Sequence, residues 1–102
     1  MKNSRQKGAR GEREFAKFLT SKGHPASRGC QFQGGPDSPD VVCESLPFHI
    51  EVKRVQNLNI EKALQQSIND SKGSNKIPIV AHRKNGEAWK ITLTAEDLFK
   101  LI

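Results

Sequence analysis

The sequence has no tyrosine, one tryptophan, one methionine and two cysteines among its 102 residues. Single-stranded RNA is commonly read by stacking bases on aromatic side chains. Here there is no Tyr, and the five Phe read mostly as core, so such a platform is missing. Cys30 and Cys43 form no Cys-x-x-Cys pair, and no apolar segment follows the basic N-terminus to act as an export signal. They are therefore expected to be reduced thiols in a cytoplasmic protein. No stretch approaches the roughly 18 apolar residues that a membrane-spanning helix needs. Internal repeats are absent, and so is a second domain. A chain this short builds only a modest core, which a dimer would support.

Acidic side chains are also in deficit, 11 Asp+Glu against 17 Lys+Arg, for a net charge of +6. Such an excess favours a polyanionic partner, because each cation that neutralises a phosphate releases condensed counterions. Membrane surfaces and acidic proteins attract the same charge. Lys2, Arg5, Lys7 and Arg10 fall in the first ten residues without one acid. Residues 1–10 are expected to form a basic N-terminal arm, with a single domain over residues 11–102.

The spacing of Phe15, Phe18 and Leu19 predicts a helix from Gly11 to Lys22, ended by Gly23. His24 to Arg28 suits a short strand. Gly34, Gly35, Pro36 and Pro39 make the stretch from Gly29 to Pro39 a loop. Strands are expected over Asp40–Glu44 and Phe48–Arg54, joined by a tight Ser45-Leu46-Pro47 link. Asn59 can cap a helix from about Ile60 to Ser71, with Gly73 ending it. Strands over Ile77–His82 and Ala88–Leu93 flank Asn85-Gly86, a hairpin signal. Thr94 caps a last helix, with Asp97 in the capping-box position. The order α-β-β-β-α-β-β-α describes an α/β fold on a mixed sheet.

The chemistry lies in Pro39-Asp40-Val41-Val42 and Ile50-Glu51-Val52-Lys53. Phe48, Ile50 and Val52 fall on one face of their strand, and His49, Glu51 and Lys53 on the other. Asp40 opens the neighbouring strand, and antiparallel pairing brings it close to the later part of the second. Two carboxylates and a lysine then lie within a few ångströms of one another, a set that suits phosphodiester hydrolysis. Mg²⁺ binds through one or two carboxylates plus substrate phosphate, and an ammonium stabilises the developing charge. The alternative is a partly exposed strand whose Glu-x-Lys pair is only a solvated face. His24, Cys30, Cys43 and His49 have the types of a zinc site, but lack ligand pairs two to four residues apart.

The pattern Pro39-Asp40 … Glu51-Val52-Lys53 resembles the PD-(D/E)XK nuclease superfamily. Within it the chain is most similar to the small Holliday-junction-resolvase-like endonucleases of archaea and phages, over nearly its whole length. Lys7-Gly8-Ala9-Arg10-Gly11-Glu12 resembles the basic, glycine-containing start of their first helix. Arg28-Gly29-Cys30-Gln31, the Gln65-Gln66 helix and the closing strand pair with Trp89 look like the phage-type members. The resemblance implies a restriction-endonuclease-like αβββαβ core, its mixed sheet flanked by helices. It further implies metal-dependent cleavage of DNA, four-way junctions above all, with Mg²⁺ as cofactor and Mn²⁺ as substitute. Asp40, Glu51 and the Val52 carbonyl would hold the metal, Lys53 would serve the attacking water, and Glu12 would join the site. A nonspecific or otherwise structure-selective nuclease, and a non-catalytic DNA-binding module, are the alternatives.

Glu12 also flanks the buried stripe of its helix, where a carboxylate needs a partner such as a metal or Lys53. A role at the helix dipole is the competing reading, and Glu14 reads as surface. A glutamine from the helix after Glu-x-Lys reaches the site in many superfamily members; Gln66, next to small Ser67, is favoured over Gln65. Lys7, Arg10, Arg28, Gln31 and Arg54 are the candidates for phosphate contacts. His49 is expected to be structural. A four-way junction needs two symmetric cuts, so the resemblance implies a homodimer, acting in the cytoplasm of a phage's host. Trp89, Leu98, Phe99 or Ile102 could form its interface or complete the core.

Overall fold

The computed structural model describes the backbone of residues 4–29 and 39–102, with side chains from Gly8 onward in the first segment. Helix α1 (Ser4–Ser21) leads to strands β1 (Ser27–Arg28), β2 (Val41–Val42) and β3 (Phe48–Lys53). Helix α2 (Ile60–Ser71), strands β4 (Ile77–His82) and β5 (Lys90–Thr92), and helix α3 (Ala95–Lys100) complete the chain. The five strands lie in sequence order in one sheet. Every pairing is antiparallel except β3 with β4, which are parallel and joined through α2. The sheet is therefore mixed, with helices on its faces.

Helix α1 begins at Ser4, not at Gly11, so the expected N-terminal arm has helical backbone from residue 4 on. Arg, Gln, Lys and Ala are good helix formers that need no buried face. Apolar periodicity detects only an apolar stripe, and residues 4–10 hold none. The expected strands over Asp40–Glu44 and Ala88–Leu93 shorten to β2 and β5. The first ends where Leu46 N–H turns back onto the Cys43 carbonyl, at 3.3 Å.

Both faces of β3 are covered, so His49, Ile50, Glu51 and Val52 are all buried. On one face, Phe15, Ala16 and Leu19 of α1 pack with Val41, Cys43, Ile50, Val52, Ile79 and Ala81. Trp89 closes this core, its ring 4.9 Å from that of Phe15. On the other face α2 presents Ala63, Ser67 and Ser71, one per turn. Small side chains bring this helix close enough for Ser67 Oγ to donate to the carbonyls of Ile79 (3.0 Å) and His49 (3.3 Å). Local signals set the element ends: Asn59 accepts from Lys62 N–H, Thr94 accepts from Asp97 N–H, and Gly86 takes a positive φ of 76° in the hairpin turn. Among the described residues, no helix is long and apolar enough to cross a membrane.

Glu14 is partly exposed but paired. Its carboxylate accepts from Arg83 Nε (2.6 Å) and Arg54 Nε (3.1 Å), tying α1 to the ends of β4 and β3. Arg54 also donates to Asn85 Oδ1 at 2.8 Å, and Arg83 to the Glu87 carbonyl at 2.8 Å. Burial opposes the charge on Glu14, but the hydrogen bonds from Arg83 and Arg54 outweigh it and hold the pKa below its ordinary value. A depressed carboxylate stabilises the fold above its unfolded pKa and loses that contribution as pH falls through the folded one. Glu14→Gln is expected to destabilise the protein by about 1–2 kcal/mol at neutral pH. In urea unfolding the gap from wild type should close below about pH 4; a gap independent of pH would remove the ionic account.

Candidate active site

The ladder between β2 and β3 contains one Cα pair, Val41 with Ile50. Beyond it the chain of β2 diverges, and the Asp40 side chain takes over the pairing. Asp40 N–H donates to the Ile50 carbonyl at 2.9 Å, and Val52 N–H donates to Asp40 Oδ2 at 2.9 Å. In an extended chain the N–H and C=O of one residue point to the same side. The Val52 carbonyl thus faces the edge on which the Asp40 carboxylate sits. β1 holds Asp40 from behind: Gly29 N–H donates to the Asp40 carbonyl at 2.8 Å, and the backbones are so close that a Cβ on Gly29 would strike the Pro39 carbonyl oxygen.

Glu51 and Lys53 project from the α2 face of β3, two residues apart, with Lys53 Nζ 3.4 Å from Glu51 Oε2. The Glu51 side chain is only 4% exposed, which removes the reading of a solvated strand face. Burial and the charge of Asp40 push its carboxyl up to about 7, although the charge and hydrogen bond of Lys53 act against this. Such a group favours a cation nearby, so Asp40, Glu51 and the Val52 carbonyl are a fitting oxygen set for Mg²⁺.

Glu12 reaches the same region from α1, which comes close to β3 at Gly11; a Cβ there would lie 3.0 Å from Arg54 Cβ. Its partner is Arg28, whose Nε donates to Glu12 Oε1 at 2.9 Å. Burial raises the pKa of Glu12 above its ordinary value; the Arg28 hydrogen bond and the Lys53 charge oppose this, and Asp40 adds to it. Glu12 is therefore within electrostatic range of both Asp40 and Lys53. Among the described residues no three His, Cys, Asp or Glu side chains gather as a metal cage. For the zinc alternative, Cys43 Sγ lies in the α1-side core, 3.8 Å from the His24 carbonyl, and His24 Nδ1 faces Ser45 Oγ at 2.8 Å. His49 sits on the opposite face of the sheet, and Cys30 is outside the described residues.

The remaining candidates divide. Gln66 is exposed and shares a flank of α2 with Asp70, one turn on, whose charge reaches Glu51. Gln65 points elsewhere and donates to Asn69 Oδ1 at 3.1 Å. Arg54 donates to Glu14 and Asn85 and keeps 25% of its side chain exposed. Arg28 pairs with Glu12 but keeps 40% of its side chain exposed. Arg10 is exposed, while Gln31 and the Lys7 side chain lie outside the described residues. Two cations escaped the sequence reading: Arg13 and Lys17 line a groove of about 570 Å³ with Arg28, between α1 and β1, and no acidic residue lines it. Their four-residue spacing on the outer flank of α1 was the available signal.

A mixed sheet between helices, with an Asp at the diverging edge of a strand that carries Glu-x-Lys, defines a nuclease of the PD-(D/E)XK type. Residues 3–102 match the model of the family described as "Phage putative PDDEXK endonuclease", and the chain belongs to that family. Its fold is similar to that of Hjc, a Holliday junction resolvase from the archaeal hyperthermophile Archaeoglobus fulgidus. The TM-score is 0.64 and the identity 24%, over 85% of this chain and 72% of the other. Among curated proteins none matches the sequence.

Proposed function

We propose that the protein is a divalent-metal-dependent endonuclease that hydrolyses DNA phosphodiester bonds, selecting four-way junctions. The observation that carries this reading is the convergence of Asp40, Glu51 and Lys53 on the open edge of β3. Buried carboxylates in a protein of net charge +6 hinder phosphate binding unless a cation joins them. Mg²⁺, or Mn²⁺ in its place, held by Asp40, Glu51 and the Val52 carbonyl, would polarise the phosphate and acidify a bound water. Lys53 orients the attacking water and stabilises charge building on the phosphate oxygens. Glu12 holds Arg28 at the mouth of the site, and Gln66 closes its α2 side. The groove lined by Arg13, Lys17 and Arg28 carries the DNA backbone away from the cut, with Arg10 and Lys7 further along the same helix.

Two symmetric cuts require two sites, which a two-fold dimer supplies. Trp89 is occupied by Phe15, so the dimer surface falls to Leu98, Phe99 and Ile102, exposed by 43%, 68% and 85%. The working place of such an enzyme is the cytoplasm of the host cell.

The test incubates labelled four-way junction, linear duplex and single-stranded DNA with the protein, in Mg²⁺, Mn²⁺ or EDTA. Paired symmetric nicks confined to the junction, absent in EDTA, are expected. Lys53→Ala and Asp40→Asn should lower the rate by about 100-fold or more while binding survives. Equal cutting of all three DNAs would remove junction selectivity. Tight binding with no cutting in either metal would leave a non-catalytic DNA-binding module.

A further inference from the structure

Lys53 does not stand alone on its face of the sheet. It is the cross-strand partner of His82 on β4, and His82 is in turn the partner of Lys90 on β5. Strands lie about 4.8 Å apart, so this row runs about 10 Å from Lys53; burial and the charge of Lys90 lower the His82 pKa, so the cations of the row are the two lysines. The row leads into a cavity of about 490 Å³ between the β3–α2 loop and the β4–β5 hairpin. That volume is in the range of small-ligand sites, which combine an apolar floor with a few polar groups. Val55, Leu58 and Ile60 supply the apolar part, Asn57 an amide, and Lys84, Lys90 and Arg83 the cations, the last already donating to Glu14. Glu87 is the acid on its wall, 3.2 Å from Lys90. Lys84 is exposed at the rim. The cavity takes no part in the carboxylate site, yet it lies at the end of the strand that bears it.

An apolar floor under a cationic rim, on the same sheet face as Lys53, matches one chemistry: a nucleoside phosphate. A paired base cannot enter a concavity, because its Watson–Crick edge and both its stacking faces are engaged in the duplex. We propose that this cavity receives one unpaired nucleotide of the substrate strand, its base against Val55, Leu58 and Ile60 and its phosphate on Lys84 and Lys90. The proposal rests on the nuclease reading for its substrate. Ten ångströms correspond to about three stacked nucleotides, so the held nucleotide lies within about three positions of the cut.

The test measures binding of the full-length protein in EDTA, where no cutting occurs, to two duplexes by fluorescence anisotropy. One is fully paired; the other carries a single unpaired 2-aminopurine, whose own fluorescence reports its surroundings. Wild type is expected to bind the second at least about tenfold more tightly, the equivalent of about 1.4 kcal/mol, and to change the 2-aminopurine emission. Lys84→Ala/Lys90→Ala, both at exposed positions, should erase the preference and lower the salt slope by about two. Leu58→Glu should erase the preference and leave binding of the paired duplex in place. Equal affinity of wild type for the two duplexes, or a preference that survives both variants, overturns the proposal. So does a free mononucleotide that shifts the Leu58 and Ile60 methyl signals without competing with DNA. Cleavage without the preference removes the cavity and keeps the nuclease; the preference without cleavage in any metal does the reverse.

Discussion

Glu51→Gln is expected to abolish metal-dependent cleavage and, at neutral pH without metal, to stabilise the protein by about 1–3 kcal/mol. Glu51 is 3% exposed and faces the charge of Asp40, so folding raises its pKa from 4.5 to about 7. A raised pKa means that the fold favours the protonated acid. The contribution of the group is fully present below about 4.5 and is lost as pH rises through about 7. A pKa displaced by one pH unit corresponds to about 1.36 kcal/mol, and relaxation around the charged carboxylate lowers the cost of ionising it. Gln keeps the shape and stays neutral at every pH. Urea unfolding in EDTA should therefore show the variant ahead of wild type at about pH 8 and level with it near pH 4.5. Mg²⁺ should raise the midpoint of wild type by mass action and leave that of the variant nearly unmoved. A variant less stable than wild type at all pH values would mean that Glu51 is satisfied by the protein alone, and the metal-site proposal would lose its physical basis.

The second large effect is expected at Gly29. A methyl group there meets the Pro39 carbonyl oxygen, a backbone atom that has no rotamer to escape into. To admit it, β1 must move away from the start of β2, breaking the 2.8 Å bond from Gly29 N–H to the Asp40 carbonyl. Gly29→Ala is expected to lose about 2–3 kcal/mol of stability. It should also reduce the cleavage rate on the order of 100-fold, because a shift of about 1 Å in a reacting group has that effect. Gly8→Ala is the control: a Cβ there meets nothing within 4 Å, and the position is helical. It should gain about 0.5–1 kcal/mol and keep full activity. Thermal unfolding and single-turnover rates of the two variants decide the matter. Normal cleavage by Gly29→Ala would show that the contact does not position Asp40.

Much of this was open to a reader of the chain. Alternation around Ile50 and Val52 put Glu51 and Lys53 together, because strand geometry alone dictates it. Asn59, Thr94 and Gly86 acted where they stand, because a cap or turn uses groups a few residues apart. Of the α1 stripe read from periodicity, Phe15 and Leu19 are buried while Phe18 is 37% exposed, and the turns before Gly11 carry no apolar pattern.

The features legible in the chain are thus local: the strand that carries Glu51 and Lys53, the Asp that precedes its neighbour, the caps, and an excess of positive charge. These depend on interactions within a few residues, and composition and spacing encode them. Which charge meets which was settled by long-range packing. It gave Arg28 to Glu12, Arg54 and Arg83 to Glu14, and Asp70 to the surroundings of Glu51. It also placed β4 parallel beside β3, so that His82 and Lys90 line up with Lys53. The chain carries more cations than acids, and several could have reached each carboxylate. The choice among them follows from how helices and strands distant in sequence pack, which no local pattern records.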